Sequence, residues 1–101
     1  MQLPEKVLME LNGFFKNVLP SGSEVLAYGS RVKGSSHESS DLDLAIRLPN
    51  SKPSDPKLLS KLRSLISDSN IPILVDLKEW TELPDSFHSE ILKNYVVIFK
   101  N

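Results

Sequence analysis

A chain of 101 residues with 40% apolar and 25% charged residues has the composition of a globular protein, so we predict a single domain over residues 1–101. Twelve basic against thirteen acidic residues give a net charge of -1, which does not support a main role in binding nucleic acid. The lack of cysteine excludes disulfides and thiolate chemistry, and no apolar run is long enough to span a membrane, so we expect a cytoplasmic protein.

The chain begins with a predicted helix followed by a strand. Pro4 suits the first turn of a helix, and apolar residues then recur at helical spacing up to Val18. Residues 24–28 are short, β-leaning and bounded by glycines, which predicts a strand. The Ser- and Gly-rich residues 30–40 predict a loop, or a single helical turn that leads into one.

Residues 41–48 give the clearest strand signal in the sequence. Apolar and polar residues alternate there with a period of two, so one face should enter the core while the other carries Asp41 and Asp43. A loop follows. Asp55 is the predicted N-cap of the next helix, and Pro56 is its predicted first residue.

The last third of the chain predicts three further elements. Residues 71–77 read as a buried strand, residues 84 and 85 open a last helix, and residues 96–99 form a short strand or a frayed apolar tail. The last helix should turn three apolar side chains inward: Phe87, Ile91 and Leu92. This order predicts an α/β (α+β) fold with a small mixed sheet and helices packed on it.

The acidic residues of the two inner strands predict a metal site. Asp41 and Asp43 share a strand face roughly 6.5–7 Å apart, and a divalent cation such as Mg²⁺ relieves the repulsion between such carboxylates. Asp76 is the sole acid of an apolar run, and it would complete a three-carboxylate cluster if the two strands are neighbours. The alternatives are a solvated strand face for Asp41 and Asp43, and an Asp76 that caps a turn or pairs with Lys78 or Arg47.

A turn upstream of the acids has the features of a phosphate-binding site. Gly29 allows close backbone approach, and the Ser30 hydroxyl with neighbouring N–H groups can hold phosphate oxygens. Arg31 adds a planar cation suited to phosphate. Such a turn is ordinary by itself, but together with the acids it predicts a metal-and-nucleotide site for phosphoryl or nucleotidyl transfer.

Residues 28–34, 39–46 and 75–77 resemble the nucleotidyltransferase domain of the polymerase-beta superfamily. The short chain resembles its minimal nucleotidyltransferase branch, stand-alone proteins often encoded beside a helical HEPN-domain partner. The resemblance runs from about residue 5 to about residue 99. It implies a polymerase-beta palm-like core.

The resemblance also implies a role for each matching residue. Three acids would ligate two Mg²⁺ ions, and the third would also help to deprotonate the acceptor hydroxyl: Asp41, Asp43 and Asp76. The triphosphate side of the site would be formed by four residues: Gly29, Ser30, Arg31 and Ser40. Of these, Ser40 would act by orienting Asp41.

The reaction implied is transfer of AMP from ATP to a hydroxyl, with release of pyrophosphate. The acceptor would be a tyrosine of a HEPN-domain toxin, which would make this protein an antitoxin. Two alternatives stay open: a non-catalytic antitoxin that neutralises its partner by complex formation, and an enzyme that modifies a small molecule or an RNA end. Because no second domain shapes an acceptor pocket, we expect a homo- or hetero-oligomer.

Late aromatic residues are the candidate partner contacts: Trp80, Phe87, Tyr95 and Phe99. We expect Phe87 and Phe99 to belong to the core, and Trp80, among charged neighbours, to be an exposed surface anchor. His37 should be a solvated loop residue near the site, and His88 should be exposed on the last helix.

Overall fold

The computed structural model describes residues 3–34, 41–51 and 55–101. Within these ranges the helices are α1 (Glu5–Val18), α2 (Ser30–Lys33), α3 (Pro56–Ser67) and α4 (Asp85–Lys93). The strands are β1 (Glu24–Tyr28), β2 (Leu42–Arg47), β3 (Val75–Glu79) and β4 (Val96–Lys100). Two 3-10 turns cover Pro49–Ser51 and Trp80–Glu82. None of the helices seen in these ranges has the length and apolar character needed to cross a bilayer.

The four strands form one sheet in the order β3-β2-β1-β4. Strand β1 pairs antiparallel with β2 on one side and with β4 on the other, whereas β2 and β3 are parallel. The helix α3 lies between β2 and β3 in the chain, as a parallel connection requires. The predicted fold class, a small mixed sheet with helices packed on it, is confirmed.

One face of the sheet carries the main core. Helix α1 begins after Pro4, and its buried stripe of Val7, Leu11 and Phe15 follows the helical period found in the sequence. Helix α3 adds a second stripe to the same core: Leu59, Leu62 and Ile66. The alternating residues of β2 meet both helices, as predicted: Leu42, Leu44 and Ile46.

Helix α3 begins as its sequence predicts. The Asp55 side chain accepts a hydrogen bond of 2.9 Å from the Lys57 N–H, and Pro56 occupies the first helical turn. A carboxylate cap satisfies a backbone donor that would otherwise have no partner within the helix. Helix α3 is the connection between the parallel strands β2 and β3.

The opposite face of the sheet has a smaller core, and only part of it is covered. Helix α4 and the Trp80 turn pack there on β1 and β2 through five buried residues: Leu26, Tyr28, Ala45, Trp80 and Ile91. The polar residues of β2 lie on this second face, which therefore holds the predicted site.

The predicted strand over residues 71–77 is wrong in its first half. Strand β3 begins at Val75, and Leu74 is 74% exposed instead of buried. The register explains the boundary, because Val75 is the partner of Leu42, where β2 itself begins. Pro72 also lacks the backbone N–H that a paired strand would use.

Trp80 is not the exposed anchor that its charged neighbours suggested. Its side chain is only 8% exposed. The His88 ring stacks on it with centroids 4.0 Å apart, and the Arg47 guanidinium lies 5.3 Å from its ring centroid. His88 is consequently half-buried, contrary to prediction, and its Nε2 lies 2.6 Å from the Trp80 carbonyl oxygen.

The inward face of α4 is narrower than predicted. Ile91 is buried, but Leu92 is exposed, and Phe87 is exposed although its ring meets that of Tyr28 edge-on at 6.0 Å. The reason is that α4 covers only part of the second face. Phe99 does pack on the main core, with its ring centroid 5.7 Å from that of Phe15.

Candidate metal and nucleotide site

Three polar side chains form a row across the second face of the sheet. Tyr28 on β1 is the register partner of Asp43 on β2, and Asp43 is the register partner of Asp76 on β3. Residues opposite each other on neighbouring strands point to the same face. The condition for an acid cluster that the sequence left open, that the two acidic strands be neighbours, is met.

Gly29 joins the predicted phosphate-binding turn, residues 29–31 (the phosphate turn), directly to this row. Its φ of 83° and ψ of -159° form a backbone conformation that only glycine adopts readily. A Cβ at this position would collide with the Asp43 Oδ2 and lie 3.2 Å from the Asp43 Cγ. The Gly29 carbonyl then accepts the N–H groups of Val32 and Lys33 at 3.1 and 3.0 Å, which starts α2.

The remaining residues of the predicted phosphate site differ in their surroundings. Ser30 is the first residue of α2 and is half-buried beside Gly29. Arg31 is only 5% exposed and is engaged in an interaction within the chain. Ser40 and His37 lie outside the described residues.

The carboxylates of the row repel one another, and the repulsion is only partly offset by Lys78. Partial burial and the neighbouring charges of Asp76 and Asp41 raise the pKa of Asp43, while the charge of Lys78 opposes them. Burial, Asp43 and Asp76 together raise the pKa of Tyr28 to about 12. Tyr28 is therefore a neutral phenol at ordinary pH. Its hydroxyl is buried without a hydrogen-bond partner in the part of the chain that is described.

The acids do not form a ready three-ligand metal site. The Asp76 Oδ2 is bound by the Lys78 Nζ at 2.8 Å, which is one of the alternatives raised by the sequence. Asp41 lies just before β2 and is exposed. Across residues 3–34, 41–51 and 55–101, no three His, Asp or Glu side chains converge closely enough to hold an ion.

The residues nonetheless fit a divalent cation. The missing Cβ of Gly29 leaves the space that the Asp43 carboxylate occupies, so the backbone is shaped around this acid. Asp41, Asp43 and Asp76 supply hard oxygen donors whose mutual repulsion a Mg²⁺ ion would relieve. The strand row provides two of these acids as register partners on neighbouring strands.

Two residues of this region were not predicted as part of the site. Lys78 appeared only as a competing partner of Asp76, and its position two residues later on the same strand face was the signal for a closer role. Tyr28 was placed at the end of a strand and at the start of the segment that resembles the family, but it was given no role in the site. Its place beside Asp43 depends on the β1–β2 register, which residue spacing alone does not reveal.

Cavities open on both sides of the row. A cavity of about 290 Å³ lies on the β1 side and is lined by residues that include Tyr28, Gly29, Lys33 and Phe87. A cavity of about 250 Å³ lies at the β3 edge, where Asp76 and Lys78 form part of its lining. The phosphate turn and the third acid thus face separate spaces.

Comparison with known proteins gives a match in sequence and in structure. Residues 13–101 match the family described as "Polymerase beta, Nucleotidyltransferase". The chain is 43% identical over 74 residues to the "Probable protein adenylyltransferase MntA" of Haemophilus influenzae, a match that covers 73% of this chain and 63% of that protein. The chain thus spans less than two thirds of the length of this curated relative.

Solved structures share the fold at low sequence identity. A chain from the crystal structure of a toxin-antitoxin with AMP-PNP superposes with a TM-score of 0.73 at 18% identity, over 98% of this chain and 75% of that one. A crystal structure from Shewanella oneidensis gives a TM-score of 0.71 at 13% identity, over 98% of this chain and 74% of that one. These matches establish the same α+β architecture.

Proposed function

The chain belongs to the polymerase beta nucleotidyltransferase family, and on that premise we propose that it transfers AMP from ATP to a hydroxyl group of a toxin partner. The observation that carries the proposal is the contact between Gly29 and Asp43 within the row that ends at Asp76. It joins a phosphate-binding turn to carboxylates suited to metal ions. A site built from these two parts suits phosphoryl-group chemistry.

The proposed nucleotide and acceptor are supported by what similar proteins are named for. The Haemophilus influenzae protein is named as a protein adenylyltransferase, which favours AMP as the transferred group and a protein as the acceptor. One similar structure is of a toxin-antitoxin with AMP-PNP, which favours an adenine nucleotide and a toxin partner. We propose a tyrosine of a HEPN-domain toxin as the acceptor, and an antitoxin role for this chain in the cytoplasm.

The two sides of the site suggest how the substrates are arranged. Gly29 and Ser30 would hold the triphosphate with the backbone N–H groups at the start of α2, and Arg31 would support this turn from within the fold. The acceptor hydroxyl would approach from the β3 edge, where Asp76 borders a cavity. Its oxygen would attack the α-phosphorus, the bond to pyrophosphate would break, and Asp76 would help to remove the hydroxyl proton.

Two Mg²⁺ ions are proposed to be held by Asp41, Asp43 and Asp76. When bound, they would supply charge neutralisation on the phosphates and activation of the acceptor oxygen. The protein's own contribution is positioning, because β2 and β3 hold two of the acids at fixed register. Ser40 is proposed to orient Asp41 from the preceding segment.

The test is a transfer assay with ATP labelled in the α-phosphate, Mg²⁺ and the protein encoded beside this chain. We expect the label on a tyrosine of the partner, and no transfer of label from the γ-phosphate. Asp43→Asn should lower the rate by about 100-fold or more, because it removes charge from the reacting centre.

The matched control is Asp55→Asn. This change also removes a carboxylate, but Asp55 caps α3 and lies away from the site. Asparagine caps a helix as well as aspartate does. This variant should keep the wild-type rate. Equal rates for the two variants, or label transferred only to RNA or to a small molecule, would refute the proposed function.

A second function is favoured by one observation, the ion pair between Lys78 and Asp76. A site that already contains its own cation is compatible with a binding module that neutralises its partner without catalysis. Toxin neutralisation in cells separates the two functions. Neutralisation that is lost in Asp43→Asn requires transfer, whereas neutralisation that persists in this variant points to complex formation alone.

A further inference from the structure

We propose that Lys78 is a built-in counter-ion of the acid row, and that it must leave Asp76 before a divalent metal ion binds there. The inference rests on the proposed function, since it concerns the same three acids. It assigns Lys78 as a positioning residue that controls metal affinity.

The geometry places Lys78 on the site face of the sheet. Asp76 and Lys78 are two residues apart on β3, so both side chains point to the same side. The Lys78 Nζ lies 2.8 Å from the Asp76 Oδ2, the distance of a charge-assisted hydrogen bond. The register partner of Lys78 is Ala45, which brings no charge, so the acids are what the ammonium group meets.

The charge of Lys78 acts on the row as a whole. It offsets the repulsion that Asp76 and Asp41 exert on Asp43. Two nearby arginines are held elsewhere: Arg47 by Glu24 at 2.7 Å, and Arg63 by the Leu77 carbonyl at 2.9 Å. Lys78 is thus well placed to neutralise the acids when no metal is bound.

A metal ion and the ammonium group compete for the same oxygen. The Asp76 Oδ2 accepts a hydrogen bond from Lys78, and a divalent ion would need that oxygen as a ligand. The Lys78 side chain is 37% exposed and ends a flexible four-carbon stem, so it can swing into solvent when it is displaced. The lysine therefore weakens metal binding and stabilises the metal-free protein.

The test is calorimetric titration of the full chain with Mg²⁺ alone, together with thermal unfolding at each Mg²⁺ concentration. Lys78→Met should tighten Mg²⁺ binding by about three- to fivefold, in line with the modest strength of a partly exposed ion pair. Without metal, the same variant should unfold at a lower temperature than wild type. Added Mg²⁺ should raise its unfolding temperature by more than it raises that of wild type. Lys78→Arg should restore the wild-type pattern in both measurements.

Two controls separate this role from a general effect of charge. Lys61→Met removes an exposed lysine from α3, which covers the other face of the sheet, and it should leave Mg²⁺ affinity unchanged. In an Asp76→Asn background, Lys78→Met should change Mg²⁺ affinity less than it does in wild type, because the contested carboxylate is gone and only the weaker effect of Lys78 on Asp43 remains.

The outcomes distinguish this inference from the function on which it rests. If wild type binds Mg²⁺, Asp43→Asn abolishes binding and Lys78→Met changes nothing, the inference is wrong while the metal site stands. If neither wild type nor Lys78→Met binds Mg²⁺, both the inference and the proposed metal site are overturned. Tighter binding in Lys78→Met, reversed by arginine, supports the inference.

Discussion

Replacement of Gly29 by alanine tests the link between the phosphate turn and the acid row. The backbone at φ 83° and ψ -159° is of order 1–3 kcal/mol less favourable for alanine than for glycine. The new Cβ would also collide with the Asp43 carboxylate, and turning that side chain out of its rotamer costs about 0.5–1.5 kcal/mol more. We expect Gly29→Ala to lower the free energy of unfolding by the sum of the two, about 1.5–4.5 kcal/mol.

Gly34→Ala is the matched control for this change. Gly34 ends α2 at a similar φ of 81°, but among the described residues a Cβ there would meet no atom within 4 Å apart from its own chain neighbours. We expect a loss of about 1–2 kcal/mol from the left-handed backbone alone. Chemical denaturation measures both losses, and Mg²⁺-dependent thermal unfolding shows which variant still binds metal. Only Gly29→Ala should lose the metal response, because only there is Asp43 displaced.

The collision itself can be isolated with Asp43→Ala. In that background Gly29→Ala should cost only the free energy of the unfavourable backbone conformation, since no carboxylate is left to collide with the Cβ. The double variant should therefore lose about 1 kcal/mol less than the sum of the two single losses. The reasoning is refuted if Gly29→Ala costs no more than Gly34→Ala and retains the response to Mg²⁺. Additive losses in the double variant would show that the Asp43 carboxylate does not lie against Gly29.

Three further predictions concern the fold around the site. Trp80→Ala should lower the free energy of unfolding, measured by chemical denaturation, by about 3–5 kcal/mol, because the side chain is buried. The exposed Tyr95 is the control, and Tyr95→Ala should cost less than about 1 kcal/mol. Similar losses for the two variants would mean that Trp80 is not buried. Asp55→Ala should cost about 1 kcal/mol, whereas an unchanged midpoint would contradict its role as a cap. The pKa of Tyr28 is raised from 10.0 to about 12, so its neutral form stabilises the fold below pH 10.0 and this contribution is lost as the pH rises towards 12. Between pH 10.0 and about 12, Tyr28→Phe should lose less free energy of unfolding than wild type loses. Equal losses in the two proteins would contradict the raised pKa of Tyr28.

Local signals in the sequence were sufficient for the elements that carry the site. The apolar period of α1, the Asp55 cap of α3 and the strict alternation of β2 each have a cause within a few residues. Asp76 was singled out because a lone acid in an apolar strand needs a reason, whereas its place beside Asp43 was left as a condition that the β2–β3 register meets. The family match confirmed the resemblance carried by these segments.

The features that were missed depend on contacts between distant parts of the chain. Leu74 is an apolar residue of the predicted strand, but β3 begins only at Val75, the register partner of Leu42. Trp80 stands among charged residues in sequence, yet α4 and Arg47 enclose its ring in space. Lys78 could be proposed as a partner of Asp76, but its influence on Asp43 requires the β2–β3 register.

The parallel pairing of β2 with β3 joins parts of the site that lie at different separations along the chain. Tyr28, Gly29 and Asp43 come together through an antiparallel pair of strands that are close in sequence, whereas Asp76 is reached through the longer parallel connection that contains α3. β3 is also an edge strand, so it can detach while β1 and β2 stay paired. A cation bound between Asp43 and Asp76 would tie that edge to the rest of the sheet. Amide hydrogens of β3 should then exchange with solvent more slowly when metal is present, while those of β1 change little.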